Sequence, residues 1–118
     1  MARIKISVVL DSGARIGPGK VALLESVRET GSISAAARAM AMDYKRAWTL
    51  IDSLNRAFEP AVVERTMGGS GGGGAILTSF GADLLERYRR LEAGVVKSAG
   101  TDLKFLERHA LPEAGPKV

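Results

Sequence analysis

Tyr44, Lys45 and Arg46 are the residues with the clearest chemical purpose in this chain of 118. They follow Asp43, a helix-capping residue type, and precede Ala47, Ile51, Leu54 and Phe58 at intervals of four, three and four. That spacing buries one stripe of a helix. Two cations in its first turn oppose the helix dipole at a small cost in stability, which points to a use outside the fold. Side chains in that turn reach base edges when the second helix of a helix-turn-helix lies in the major groove of DNA. Arg46 suits a bidentate bond to guanine, Lys45 a base or a phosphate, and Tyr44 and Thr49 a phosphate or a thymine methyl. The other reading of the same residues is a solvated basic face without a partner. Trp48 adjoins the buried stripe and is expected in the core, although an indole can also stack on sugar or base.

Other chemistries find little footing. Gly68 to Gly74 is interrupted only by Ser70. A phosphate-cradling loop needs Gly-x-x-x-x-Gly-Lys and then Ser or Thr, and no lysine follows this run. Gly13 to Lys20 is nearer the pattern, but it is one residue too long and ends in Val21. The glycine run therefore reads as a turn tip lying along a DNA backbone, with Arg65, Thr66, Ser70, Gly71 and Gly72 as backbone contacts, or as a tip without contacts. His109 is the sole histidine and there is no cysteine, so disulfides, thiolate metal sites and a two-histidine metal motif are excluded. No serine or carboxylate falls in a catalytic spacing, and no enzyme activity, cofactor or metal is expected. The net charge of +4 modestly favours a polyanionic partner. The N-terminus lacks a signal-peptide pattern and no apolar run is long enough to span a bilayer, so no membrane partner and a cytoplasmic location are expected.

The elements that must position these residues follow from period and punctuation. Ile4, Ile6, Val8 and Leu10 alternate with Lys5, Ser7 and Val9, in the pattern of a half-buried strand. Asp11-Ser12-Gly13 is turn chemistry, and Ala14 to Ile16 can return as a second strand. Pro18 suits the first turn of a helix carrying Val21, Leu24 and Val27 on one face, and Gly31 suits its end. Ser32 or Ser34 can cap the next helix, alanine-rich to about Ala41. Val62 to Thr66 and Ala75 to Thr78 read as strands flanking the glycines. Thr78 or Ser79 then opens a long helix with the stripe Phe80, Leu84, Tyr88, Leu91 and Val95. A further helical turn or two is expected around Leu103 and Leu106. The expected fold is α+β and mainly helical: a winged helix-turn-helix with a small antiparallel β wing and a long C-terminal helix. Residues 1–110 make one domain and 111–118 a loose tail.

Four pieces of this chain resemble the N-terminal DNA-binding domain of the ModE family of molybdate-responsive transcription regulators. They are Thr30-Gly31-Ser32-Ile33-Ser34 with its alanine-rich helix, Tyr44-Lys45-x-Ala47-Trp48, Val63-Glu64-Arg65 with the glycines, and Leu77-Thr78-x-x-Gly81. The first piece is also similar to the helix-turn-helix of LysR-type regulators. The resemblance implies a homodimer on a palindromic operator in double-stranded DNA, with Tyr44, Lys45 and Arg46 on the recognition helix and Arg65 through Gly74 on the wing. Ser34 joins the expected DNA contacts. Family members carry C-terminal oxyanion-binding β-barrels that residues 103–118 cannot form. The expectation is therefore a ModE-type regulator without molybdate-binding domains, with a separate molybdate-binding protein as a candidate partner. Leu91, Val95, Leu103 and Leu106 are the expected dimer contacts. The rival reading is a winged-helix protein-interaction or dimerisation module that does not bind DNA.

Overall fold

Residues 2–9 alternate partly buried and exposed side chains, as the sequence predicts, but only Val8–Val9 pairs as a strand (β1). Its partner is Arg15–Ile16 (β2), antiparallel, with Val8 opposite Ile16. The expected longer strand is cut short because Gly17 and Pro18 begin a helix directly after Ile16. The preceding residues are held instead by the Tyr88 hydroxyl, which donates to the Ile6 carbonyl at 2.6 Å. The computed structural model describes residues 2–67 and 73–112.

Helix α1 runs Pro18–Thr30 and ends on Gly31, whose φ of 78° is left-handed and whose N–H bonds the Val27 carbonyl. A glycine takes that conformation without steric cost. Helix α2 spans Ile33–Ala39 and α3 spans Tyr44–Ala57. Their caps are those the sequence offers: Ser32 accepts from the Ala35 N–H, and Asp43 from the Arg46 N–H. Of the two serines considered for α2, Ser32 caps and Ser34 stays exposed. The turn between α2 and α3 puts Ala41 at φ 55°. The Ala41 N–H bonds Arg38 and the Met42 N–H bonds Ala37. This is a Schellman-type helix end with alanine where glycine is usual.

The wing consists of β3, Val63–Thr66, and β4, Gly74–Leu77, antiparallel with Val63 opposite Leu77 and Thr66 opposite Gly74. Two devices fasten it to the helices. The Asn55 side chain accepts from the Val62 and Val63 N–H groups and donates to the Val63 carbonyl. At the other strand, the Ala75 N–H bonds the carbonyl of Gly31, just past α1, at 2.9 Å.

Helix α4 covers Ser79–Ser98 and α5 covers Gly100–His109. Thr78 caps α4 through the Gly81 N–H and itself donates to the Ala61 carbonyl. Gly81 lies so close to the chain before β3 that a Cβ there would stand 2.1 Å from the Val62 carbonyl oxygen. Leu23, Leu24, Leu54, Val62 and Leu85 are among the fully buried residues, so α1, α3, α4 and the root of the wing share one core. The stripe on α4 is buried through Tyr88, beside which Leu85 contributes more than expected, but Leu91 is 47% exposed. In place of a turn or two beyond α4 there is a ten-residue helix with no buried residue. The radius of gyration, 17.2 Å, exceeds the roughly 13–14 Å of a globular chain this long.

Arg89 ties α4 to α1. Its guanidinium grips Glu25 through two bonds, of 2.7 and 2.9 Å, and Glu92 through one of 2.8 Å. The Arg89 hydrogen bond, against some desolvation, holds the Glu25 carboxyl below its ordinary value of 4.5. The two carboxylates push the guanidinium pKa up. Burial raises the Tyr88 hydroxyl.

Candidate nucleic-acid interface

The first turn of α3 is presented to solvent. Tyr44, Lys45, Arg46 and Thr49 are all exposed, while Ala47, Ile51 and Leu54 on the opposite stripe are buried. Phe58 is half-buried and meets Phe80 with ring centroids 5.7 Å apart. Among the described residues, neither Lys45 nor Arg46 has a carboxylate within ion-pair distance, whereas Arg56 pairs with Asp52 at 3.5 Å. The Asp43 carboxylate accepts from the backbone of Arg46. It therefore satisfies the helix end and leaves the two cationic heads unpaired. Lys45, Arg46 and Thr49 border a shallow depression with Asp43 and Leu50.

The wing stands beside this helix. Arg65 on β3 is exposed, and its Nη2 donates to the Tyr44 hydroxyl at 2.9 Å. Helix α3 and the wing are thus joined across 21 residues of sequence, a pairing that no spacing rule announces. Thr66 is partly buried. Ser70, Gly71 and Gly72 lie outside the described residues. Ser34 is exposed on α2, with its side chain free of the cap that Ser32 provides.

Trp48 corrects the sequence expectation. It is not a core residue: 41% of its surface is exposed. The buried stripe of α3 is narrow, set by Ala47, Ile51 and Leu54, and Trp48 sits one residue to its side. That flank faces a cleft between α3 and β3, lined by Trp48, Asn55, Val63 and Arg65 among others. Asn55, which organises the start of β3, was missed by sequence reasoning. Its only signal is a polar side chain directly after the buried Leu54.

The helix-turn-helix and wing are matched by a family model for bacterial regulatory helix-turn-helix proteins of the lysR family, over residues 19–82. The chain belongs to the lysR family of bacterial regulatory helix-turn-helix proteins. Within this lysR-type chain the resemblance to ModE is borne out by its relatives. It is 47% identical over 91 residues to the molybdenum-pterin-binding protein MopB of Rhodobacter capsulatus, covering 76% of this chain and 34% of that protein. It is 40% identical to the transcriptional regulator ModE of Yersinia pestis over 74% of this chain and 33% of the relative. With the DNA-binding transcriptional dual regulator ModE of Escherichia coli K12 it shares 38% identity over the same shares. The chain thus spans about a third of the length of these relatives. Solved structures agree on the fold. The CbnR DNA-binding domain in complex with DNA superposes with a TM-score of 0.56 at 21% identity, covering 73% of this chain and 93% of that one. The multiple antibiotic resistance repressor MarR gives 0.57 at 21% identity, covering 82% of this chain and 78% of that one. The fold is a winged helix-turn-helix, as the order of elements predicts. No helix among the described residues is long and apolar enough to cross a membrane.

Proposed function

We propose that residues 1–110 form the DNA-binding unit of a ModE-type transcription regulator; most of the segment 111–118, expected as a tail, lies outside the described residues. The observation that carries this reading is the pair of exposed, unpaired cations in the first turn of α3, flanked by Arg65 of the wing. A positive charge at a helix N-terminus is disfavoured within the fold, and a polyanion relieves it. On this reading α3 lies in the major groove. Arg46 bonds a guanine, Lys45 a base or a phosphate, and Tyr44, Thr49 and Ser34 the adjoining backbone. Arg65 and Thr66, with Ser70, Gly71 and Gly72 beyond the described residues, follow the phosphates as the wing. The unit carries out no chemistry of its own, needs no cofactor and works on the chromosome in the cytoplasm.

The unit acts as a homodimer. Support comes from the far end of α4 and from α5, where Leu91, Phe105 and Leu106 are exposed and Val95 and Leu103 are only partly covered. Exposed apolar residues gathered on one part of a chain mark an interaction surface. A two-fold pair also sets two recognition helices one DNA turn apart, roughly 34 Å. A molybdate signal reaches this unit from an oxyanion-binding domain or protein outside residues 1–118.

The test is selection of bound sequences from a random duplex pool, followed by titration of the recovered duplex. The expected site is two-fold symmetric. Lys45→Ala with Arg46→Ala should abolish the preference for it, the Arg46 contact alone being worth about 1–3 kcal/mol at one base pair. Equal binding by the wild type and the double variant refutes the recognition-helix assignment and leaves the protein-interaction reading in its place.

A further inference from the structure

Trp48 has no task in the core and none in the recognition of bases as assigned above. It shares one face of α3 with Tyr44, four residues earlier, and both aromatic rings are exposed, 41% and 47% respectively. The Tyr44 hydroxyl holds the Arg65 guanidinium at 2.9 Å, and Trp48 and Arg65 line the same cleft between α3 and β3. The cleft also contains Asp52, an unwelcome charge for an anion, but its carboxylate is turned to Arg56 at 3.5 Å. If α3 occupies the major groove and the wing follows the adjoining backbone, one strand of the duplex must pass between them. The cleft lined by Trp48 and Arg65 opens between the same two elements.

We propose that Trp48, Tyr44 and Arg65 form a clamp for one sugar–phosphate unit of that strand. Arg65, pre-oriented by the Tyr44 hydroxyl, bonds the phosphate as a charge-assisted donor. The Trp48 indole lies against the deoxyribose and offers its N–H to a phosphate oxygen. The clamp is indifferent to sequence, because it touches no base edge. Its function is to fix the depth and register at which Lys45 and Arg46 meet the bases. This proposal rests on the DNA-binding reading above.

Trp48 is the only tryptophan in the chain, so its fluorescence reports on the clamp alone. The probe is a fluorescein-labelled, mixed-sequence duplex of about three helical turns at low salt, where binding without sequence preference is strong. Anisotropy of the label reports binding, and acrylamide quenching of the full-length protein reports the indole. In the saturated complex the quenching constant should fall several-fold. Trp48→Ala should weaken binding about tenfold, the worth of one hydrogen bond to a charged group, with the salt slope unchanged, since no charge is lost. Arg65→Ala should lower the salt slope by about one. Tyr44→Phe, which keeps the ring and removes the hydroxyl, should cost a few-fold, about the worth of one hydrogen bond. Unchanged quenching in a complex that anisotropy shows to be saturated overturns the clamp and leaves the DNA-binding reading standing. Failure of the wild type to bind any duplex overturns both. A Trp48→Ala variant with native circular dichroism and wild-type affinity also refutes the clamp.

Discussion

Replacing Gly81 by alanine should loosen the joint between the wing and α4. The added Cβ would stand 2.1 Å from the Val62 carbonyl oxygen, 3.1 Å from its carbon and 3.2 Å from Val62 Cγ1. Two of these neighbours are backbone atoms, which cannot swing aside as the end of a long side chain can. Reaching ordinary contact requires the helix to retreat by roughly 1 Å, a displacement typical of overpacked cores. The same carbonyl accepts the Thr78 N–H at 3.0 Å and its hydroxyl at 3.2 Å, and Thr78 in turn caps α4 through the Gly81 N–H. Retreat therefore strains the cap as well as the packing. Overpacking costs about 1–3 kcal/mol, and one or two weakened hydrogen bonds add about 1–2 kcal/mol. Alanine in a helix returns about 1 kcal/mol relative to glycine. The net loss is about 1–4 kcal/mol, or a fall in Tm of roughly 5–15 °C for a domain of this size. Gly19, in the first turn of α1, is the control: it is exposed and has nothing within 4 Å of where a Cβ would be. Gly19→Ala should leave stability unchanged or raise it by up to about 1 kcal/mol. Urea and thermal unfolding of both variants against wild type give the comparison. If Gly81→Ala proves as stable as Gly19→Ala, the close approach of α4 to Val62 is not a constraint, and this account of the Leu77-Thr78-x-x-Gly81 motif fails.

Three further outcomes are expected. Sedimentation of the full chain at tens of micromolar should show a dimer, and a chain cut after Arg90 should be monomeric; a full-length monomer, or a dimer that survives the cut, contradicts the assignment of Leu91, Val95, Leu103 and Leu106. Calorimetric titration of residues 1–118 with molybdate and with tungstate should give no binding heat, because the described residues after β4 form helices and no strand from which an oxyanion-binding β-barrel could be built; a defined stoichiometry at micromolar concentration would reveal a site of another kind. Arg89 depresses the Glu25 pKa in the folded chain, so the bridge stabilises above the ordinary carboxylate value and is lost as pH falls through the depressed one. The Tm difference between wild type and Glu25→Gln should therefore be largest near neutrality and shrink on acidification below about pH 4, and a difference independent of pH would show that the bridge contributes nothing.

Most of the local structure was legible because it is written in neighbouring residues. Asp43, Ser32 and Thr78 cap the helices they precede, since a short side-chain oxygen reaches only its own helix end. Gly31 ends α1 through a left-handed φ that alanine resists. The period of Ala47, Ile51 and Leu54 fixed which side of α3 is buried, and with it that Tyr44, Lys45 and Arg46 face solvent. The order of the elements was enough to name a winged helix-turn-helix. The tertiary structure decided what depends on pairs far apart in the chain. Strand β1 has two residues and not seven because β2, with which it pairs, is two residues long, and pattern records burial but not the length of a ladder. Arg65 finds Tyr44, Arg89 finds Glu25, and Asn55 finds the start of β3, through contacts that periodicity does not encode. Trp48 shows the limit most plainly. Its neighbours in sequence suggest burial, but whether a large side chain beside a stripe is covered depends on what packs over that flank. Here the flank opens on the cleft under the wing, and the indole stays in reach of whatever passes through it.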